Sequence, residues 1–500
     1  MTIAGATWSL DWWIGAEDRW HLPCREVAVR QSLVGSSPVV ETRLRVPSGD
    51  AVHRAYAARS ANGDEAIVVE VENQSKIPFA LGLAVRPHDQ AAVGRIDGVE
   101  VSASEVLIDR RCAIVLPRSP GRVALSTAAH GDAATVVLSG EAHTRPPAAI
   151  SCPDGMAHAV LLFPLAHTAT FRVVLPLGDS ASALVPGDYP GAAQVASGWA
   201  THASTGARVE VPDRRLRDAV AATTRHLLLE PHGPEVALAL DLFGFADEAR
   251  RALATDPADV ARAPAGPTLR AVVQHWDLSD DADTARRMVP VTAALAPRVA
   301  RSGEAGTAAL LERAASLLAA ADERRAAADV RALAALAAPA RATTEPALAR
   351  IAALLAEGTG TWTWPGPGTG HDAAANARLL VAVRDLLVDD SDADEGVRLC
   401  PEVPSSWLGQ GWELHGAPTS HGVLSYAVRW HGERPALLWE LVPRRAATAV
   451  RLTAPGLDPS WSTAEPKGEA LLSPVALPEK GARRGITIPV TIESSPRRPA

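Results

Sequence analysis

The apolar residues of this sequence change their spacing twice, and no single layer of secondary structure can satisfy both periods. From residue 1 to about 205, short β-branched or alternating stretches recur between turn signals, as in Glu26 to Arg30 and Ala66 to Glu72. Near Val211-Pro212-Asp213 the period becomes helical, with Leu216, Val220, Thr223, Thr224 and Leu227 falling on one face behind Asp213 as N-cap. From Val397 onward alternation returns. The fold class is therefore multidomain β + α: an antiparallel β-sandwich at 1–208, a helical domain at 209–392, a C-terminal β domain at 393–490 and a disordered tail at 491–500.

Further strands are expected at Val106–Ile108, Ala113–Leu116, Thr135–Leu138, Ala159–Phe163 and Phe171–Leu175. Candidate helices run over about 213–229, 234–253, 267–278, 281–300, 304–321, 323–338, 343–356 and 372–388. The stretch from Ala308 to Ala353 is alanine-rich, yet Leu310, Leu311, Leu317, Leu318, Leu333 and Leu336 draw an apolar stripe along it, and the alanines let neighbouring helices approach closely. Gly422–Trp430 and Ala436–Leu441, joined by the turn at His431 to Pro435, form a strong β-hairpin signal.

Composition enters by what it excludes. Among the 500 residues there is no uncharged apolar run of about 18 residues, which predicts no membrane span. The net charge is −8 and only Lys76, Lys467 and Lys480 are lysines, with no basic run, which argues against nucleic acid as a partner. Cys24, Cys112, Cys152 and Cys400 lie far apart, so they are expected to be reduced and mostly buried. No basic segment and apolar stretch open the chain, and the expected location is cytoplasmic. His415, His421 and His431 show no metal-ligand spacing, and neither a GxSxG elbow nor a Walker A loop is present, so no metal and no cofactor are expected.

Three segments carry a resemblance. Gly266 to Asp281 is similar to a toroid repeat in which one helix ends at an aromatic and a short acidic turn starts the next. Ala237 to Leu253 resembles the hairpin of the same repeat, and Leu399 to Gly411 resembles the segment that follows it. In this order they resemble the six-hairpin glycosidase superfamily, in which a β-sandwich precedes an (α/α)6 toroid and a β-rich end. The resemblance implies a carbohydrate ligand, an α-glucan or another oligosaccharide, and inverting hydrolysis or phosphorolysis as the reaction. Here the helical span has room for eight helices where a full toroid has twelve, which implies an abbreviated ring.

Inverting hydrolysis needs two carboxyl groups about 6.5–9.5 Å apart across a pocket. Glu235, behind the Glu230-Pro231-His232-Gly233-Pro234 hinge, is the candidate acid, and Asp372, after the Gly-rich loop, the candidate base. Trp362, Trp364 and Trp276 are candidate stacking surfaces for pyranose rings, with His371 and His275 as hydroxyl partners. Each has a structural alternative. Glu235 suits a helix first turn, Asp372 an N-cap, His275 a helix C-terminus, and the tryptophans ordinary packing. The Trp8 to His21 segment, with four of the 13 tryptophans, is either a loop lining a groove with Asp11, Glu17, Asp18, Arg19 and His21 or a buried seal. The reading is a glycosidase-like protein that acts on or binds a saccharide; the alternatives are an inactive scaffold with an unknown protein partner and a sugar sensor.

Overall fold

A computed structural model describes residues 1–477 apart from 4, 89–91, 179–183, 254–255, 280–281, 338–344, 360–371, 391–395 and 445–448. It is a mixed β and α structure with two compact units, Met1–Ala200 and Thr201–Ala500.

The first unit is a two-sheet sandwich. Strands Ser9–Gly15, Trp20–His21, Phe79–Arg86, Arg122–Ser126 and His158–Leu165 form one sheet. The other has nine strands, among them Val40–Val46, Gly49–Arg59, Glu65–Asn73, Arg111–Val115 and Thr170–Pro176. All strand pairs within the unit are antiparallel. Alternation puts Leu81, Leu83 and Val85 of one sheet and Val69, Val71 and Val173 of the other into a shared core. Helix α1 (Ala133–Leu138) lies where Thr135–Leu138 reads as a strand. Asp132 caps it by accepting from the Ala134 amide at 2.9 Å, and Ala133, Ala134 and Val137 cover Trp13, Ala84 and Val160 on the outside of the smaller sheet. Burial on that face and a good cap override the β propensity of Thr-Val-Val. Helix α2 (Ala192–Ala203) also lies within the stretch read as strands.

In the second unit α3 (Arg214–Leu229), α4 (Pro234–Leu242), α5 (Ala246–Ala252), α6 (Pro257–Arg262), α7 (Ala265–Ser279), α8 (Ala282–Ser302), α9 (Thr307–Ala320), α10 (Arg324–Leu336), α11 (Ala347–Glu357) and α12 (Ala373–Leu387) follow the helical period closely. The expected 234–253 helix is two helices: Gly244 takes a φ of +85°, and the turn drives Phe243 and Phe245 into the core. The short α6 carries too little period to be seen in the sequence. Helices α12, α4, α7 and α9 each pack against the next, with α3 against α12, α8 against α7 and α10 against α9.

Two C-terminal sheets complete the unit. One orders Arg208–Glu210, Trp412–Thr419, Gly422–His431, Arg434–Pro443 and Lys467–Leu471; the other contains Val388–Asp389, Val397–Leu399, Leu452–Ala454 and Asp458–Thr463. The expected hairpin is present, with Tyr426 opposite Trp439. Trp407, Trp412, Tyr426 and Trp439 face the helices, and one apolar core runs through helices and sheets alike.

Leu311 is fully buried in that core, whereas Leu336, at the end of α10, is 84% exposed. Leu311→Ala is expected to cost about 2–5 kcal/mol and Leu336→Ala less than about 0.5 kcal/mol, read from the denaturant midpoint of the helical unit.

Candidate functional site

The polar groups of interest converge on the C-terminal half of α7. Helix α4 is apolar from Val236 to Leu242 except for Asp241, whose side chain is buried. A carboxylate in that setting needs a partner, and His275 of α7 supplies one, its Nδ1 lying 2.9 Å and 3.1 Å from the two Asp241 oxygens. With the carboxylate ionised, Nδ1 donates. Burial pushes the Asp241 carboxyl above its ordinary range, and the imidazole offsets part of that shift. His275 is thus tied to a carboxylate beneath the surface, as the sequence did not anticipate. A lone acid in an otherwise apolar helix was the available signal.

The neighbouring residues are tied as firmly. Asp277 accepts from Arg313 Nε at 2.7 Å and from the same guanidinium's terminal nitrogen, which also donates to Gln274 Oε1 at 3.1 Å. Burial raises the Asp277 carboxyl while Arg313 opposes the rise. Arg444 donates to the Asp277 carbonyl and to the Thr419 carbonyl, joining α7 to the turn between Trp412–Thr419 and Gly422–His431. Asp390 accepts from Arg384 at 2.8 Å and from the Ser420 amide at 2.7 Å. Burial works against its charge, but Arg384 and Ser420 outweigh burial and hold the carboxyl below its usual range. Arg313 and Arg444 carry no periodic signal, because their partners lie far away in sequence.

Glu235 lies half-buried in the first turn of α4, behind Gly233 and Pro234. Asp372 caps α12: its Oδ1 accepts from the Ala375 amide at 3.0 Å and its Oδ2 lies 3.4 Å from Arg378. Trp276 is partly buried and packs against the helical core. Trp362, Trp364 and His371 lie outside the described residues. Two open depressions lie elsewhere on the surface. One of about 360 Å³ is lined by Glu100, Ser102, Glu105 and Pro147, and one of about 320 Å³ by Glu210, Arg217, Glu413 and Arg429. Glu235, Asp372, His275 and Trp276 line neither.

The Trp8 to His21 segment contributes the strand Ser9–Gly15 rather than a loop. Trp13 is fully buried, its indole N–H donating to Asp11 at 2.9 Å, and Arg86 stacks over its ring. Trp12 stacks on His53 with ring centres 5.0 Å apart. Among the described residues no group of three or more His, Cys, Asp or Glu could hold a metal ion, and no helix is long and apolar enough to cross a membrane.

No family model matches this chain, and no curated protein matches it. A GH78 family rhamnosidase of Bacillus sp. GL1 is a solved structure to which the chain is similar, at 10% identity with a TM-score of 0.32, over 71% of this chain and 51% of that one. The chain spans about half the length of that protein.

Replacing His275 by Ala leaves Asp241 buried without its partner and is expected to cost about 3–5 kcal/mol, whereas the double change His275→Leu with Asp241→Leu should recover most of the loss; urea denaturation measures both. His53 gives a pH signature for the first unit. Burial depresses its pKa from 6.5 to about 3, so between those values the unfolded chain binds a proton that the folded chain refuses. The contribution is whole above pH 6.5 and falls by up to about 1.4 kcal/mol per pH unit on acidification towards 3. His53→Gln should flatten the acid limb of the stability profile.

Proposed function

We propose that this chain is a carbohydrate-associated protein of glycosidase-like build in which the helical region is a packed scaffold rather than a two-carboxylate catalytic centre. The order of a sandwich, paired helices and C-terminal sheets, together with the three sequence segments that resemble the six-hairpin glycosidases, supports a saccharide such as an α-glucan or another oligosaccharide as ligand class. One observation carries the non-catalytic reading: the buried acids of the helical unit are already committed. Asp241 is held by an imidazole and Asp277 and Asp390 by guanidinium groups, while the Asp372 carboxylate caps a helix. A general acid needs a proton it can give up and a general base needs an open lone pair facing water. Carboxylates tied in this way offer neither.

The second reading is an inverting hydrolase that uses Glu235 as acid and Asp372 as base. It draws on the half-buried position of Glu235 in the first turn of α4. The two readings part on turnover. Against aryl glycosides, including rhamnosides, and against α-glucans, the scaffold reading expects no reducing-end release above the buffer rate, alongside saturable binding in calorimetry against a glycan panel. Turnover that Glu235→Gln and Asp372→Asn both abolish would establish the hydrolase instead.

A further inference from the structure

The edge strand Trp20–His21 of the smaller sheet in the first unit lays an indole flat on its neighbours. Strand pairing sets Trp20 beside Gly15, and Trp13 beside Gly82 one strand further in. A Cβ on Gly15 would stand 3.0 Å from Cζ2, 3.0 Å from Cη2 and 3.1 Å from Cε2 of Trp20, and one on Gly82 3.4 Å from its Cζ3. Three bonded ring atoms at nearly equal distance mean that the ring meets Gly15 by its face rather than by its edge. So close an approach requires glycine. The side chain is nevertheless only partly buried. Among the described residues no second ring and no guanidinium stacks on it, and nothing accepts from its indole N–H. Its neighbour Trp13 is spent by comparison, with the N–H on Asp11 and Arg86 over the ring.

The outer face of the sheet continues from the ring as a low strip. Gly82 stands beside Leu162, and Leu162 beside Arg122, with Leu162 and Ala124 among the residues that pack on this face. Arg122, two residues from Ala124, shares that face. It is partly exposed, its Nη1 donates to the Gly121 carbonyl at 3.1 Å, and it forms no ion pair among the described residues. From Gly82 to Arg122 the strip spans two strand spacings, about 10 Å. We propose that it binds an oligosaccharide of equatorially substituted pyranoses, with one ring stacked on Trp20 and hydroxyls of the next accepting from Arg122. The proposal rests on the saccharide reading above and gives it a site outside the helical unit.

The chemistry is complementary. The face of an indole carries the negative part of its quadrupole, and a pyranose whose hydroxyls lie equatorial turns C–H bonds of partial positive charge towards it. The indole N–H and the guanidinium are donors, and sugar hydroxyls accept. A ring laid over strand glycines also steadies a sheet. That role accounts for the covered face of Trp20, and leaves the unpaired N–H and the unpaired cation in line with it without a task. One stacked ring on an open strip buries little, so the affinity is weak, with a Kd of about 1 mM.

Titration of the full chain with maltotriose and cellotriose to about 10 mM tests it, read by calorimetry and by the indole proton–nitrogen signals in NMR. Trp20→Phe, which keeps a ring over the glycines, identifies the Trp20 signal by its loss, and in the unaltered chain that signal should shift on titration. Trp20→Ala should weaken binding at least about tenfold, and Trp20→Phe and Arg122→Ala severalfold. Arg122→Ala should leave the urea midpoint of the first unit in place, which separates binding from stability. Should Trp20→Ala fail to fold, the Trp20 signal and Arg122→Ala decide. Saccharide binding that leaves the Trp20 signal unmoved and is indifferent to Arg122→Ala would overturn this site and spare the saccharide reading. A glycan panel in which no member binds would overturn both.

Discussion

The apolar core shared by the helices and the C-terminal sheets is the constraint on which the second unit rests. Apart from α8, its helices have 16 residues or fewer, and their buried faces are built largely from Ala, Leu and Val. Isolated helices of that length are marginal in water, and alanine gives little area to bury. The missing bulk comes from the C-terminal segment. Trp407 and Trp412 sit with ring centres 5.6 Å apart, and Tyr426 donates to the Leu387 carbonyl at the end of α12. Neither layer buries its apolar face without the other, so the helices and the C-terminal sheets form one compact unit.

A core of this kind decides the chemistry of the charges that enter it. A carboxylate removed from water is tolerated only with a partner, and three acids of this unit have one on another helix: buried Asp241 on α4 with His275 on α7, and partly buried Asp277 on α7 with Arg313 on α9 and Asp385 on α12 with Arg350 on α11. Burial raises all three carboxyls and the partner opposes the rise. These pairs pin helix to helix in register. The same arrangement commits each of these three carboxylates to a partner.

Alternation along the C-terminal strands divides two tasks between two faces. Aromatic side chains point inward and complete the core, while aliphatic and charged residues point outward in ordered rows. A one-residue slip would exchange the faces, so the register that buries Tyr426 and Trp439 also keeps Glu440 and Lys467 in water.

Much of the architecture was legible in the sequence because periodicity reports local burial. The helical period of Leu216, Val220 and Leu227 marks α3, and the alternation of Leu424, Tyr426 and Val428 marks its strand. Local pattern misled where a distant surface overrode propensity, as in α1, whose Thr-Val-Val run folds as a helix on the outer face of a sheet. The candidate site was legible only as residue types. Asp372 and Glu235 stand at helix starts, which their spacing from Gly and Pro already suggested. That His275 joins Asp241, 34 residues away, and that Arg444 reaches the Asp277 carbonyl, 167 residues away, are facts of tertiary packing. Away from α1, α2 and the break at Gly244, the sequence by itself determined which segments are helix or strand and which face of each is apolar. Only the tertiary structure decided which charges become partners, because pairing depends on distances between elements that no local period encodes.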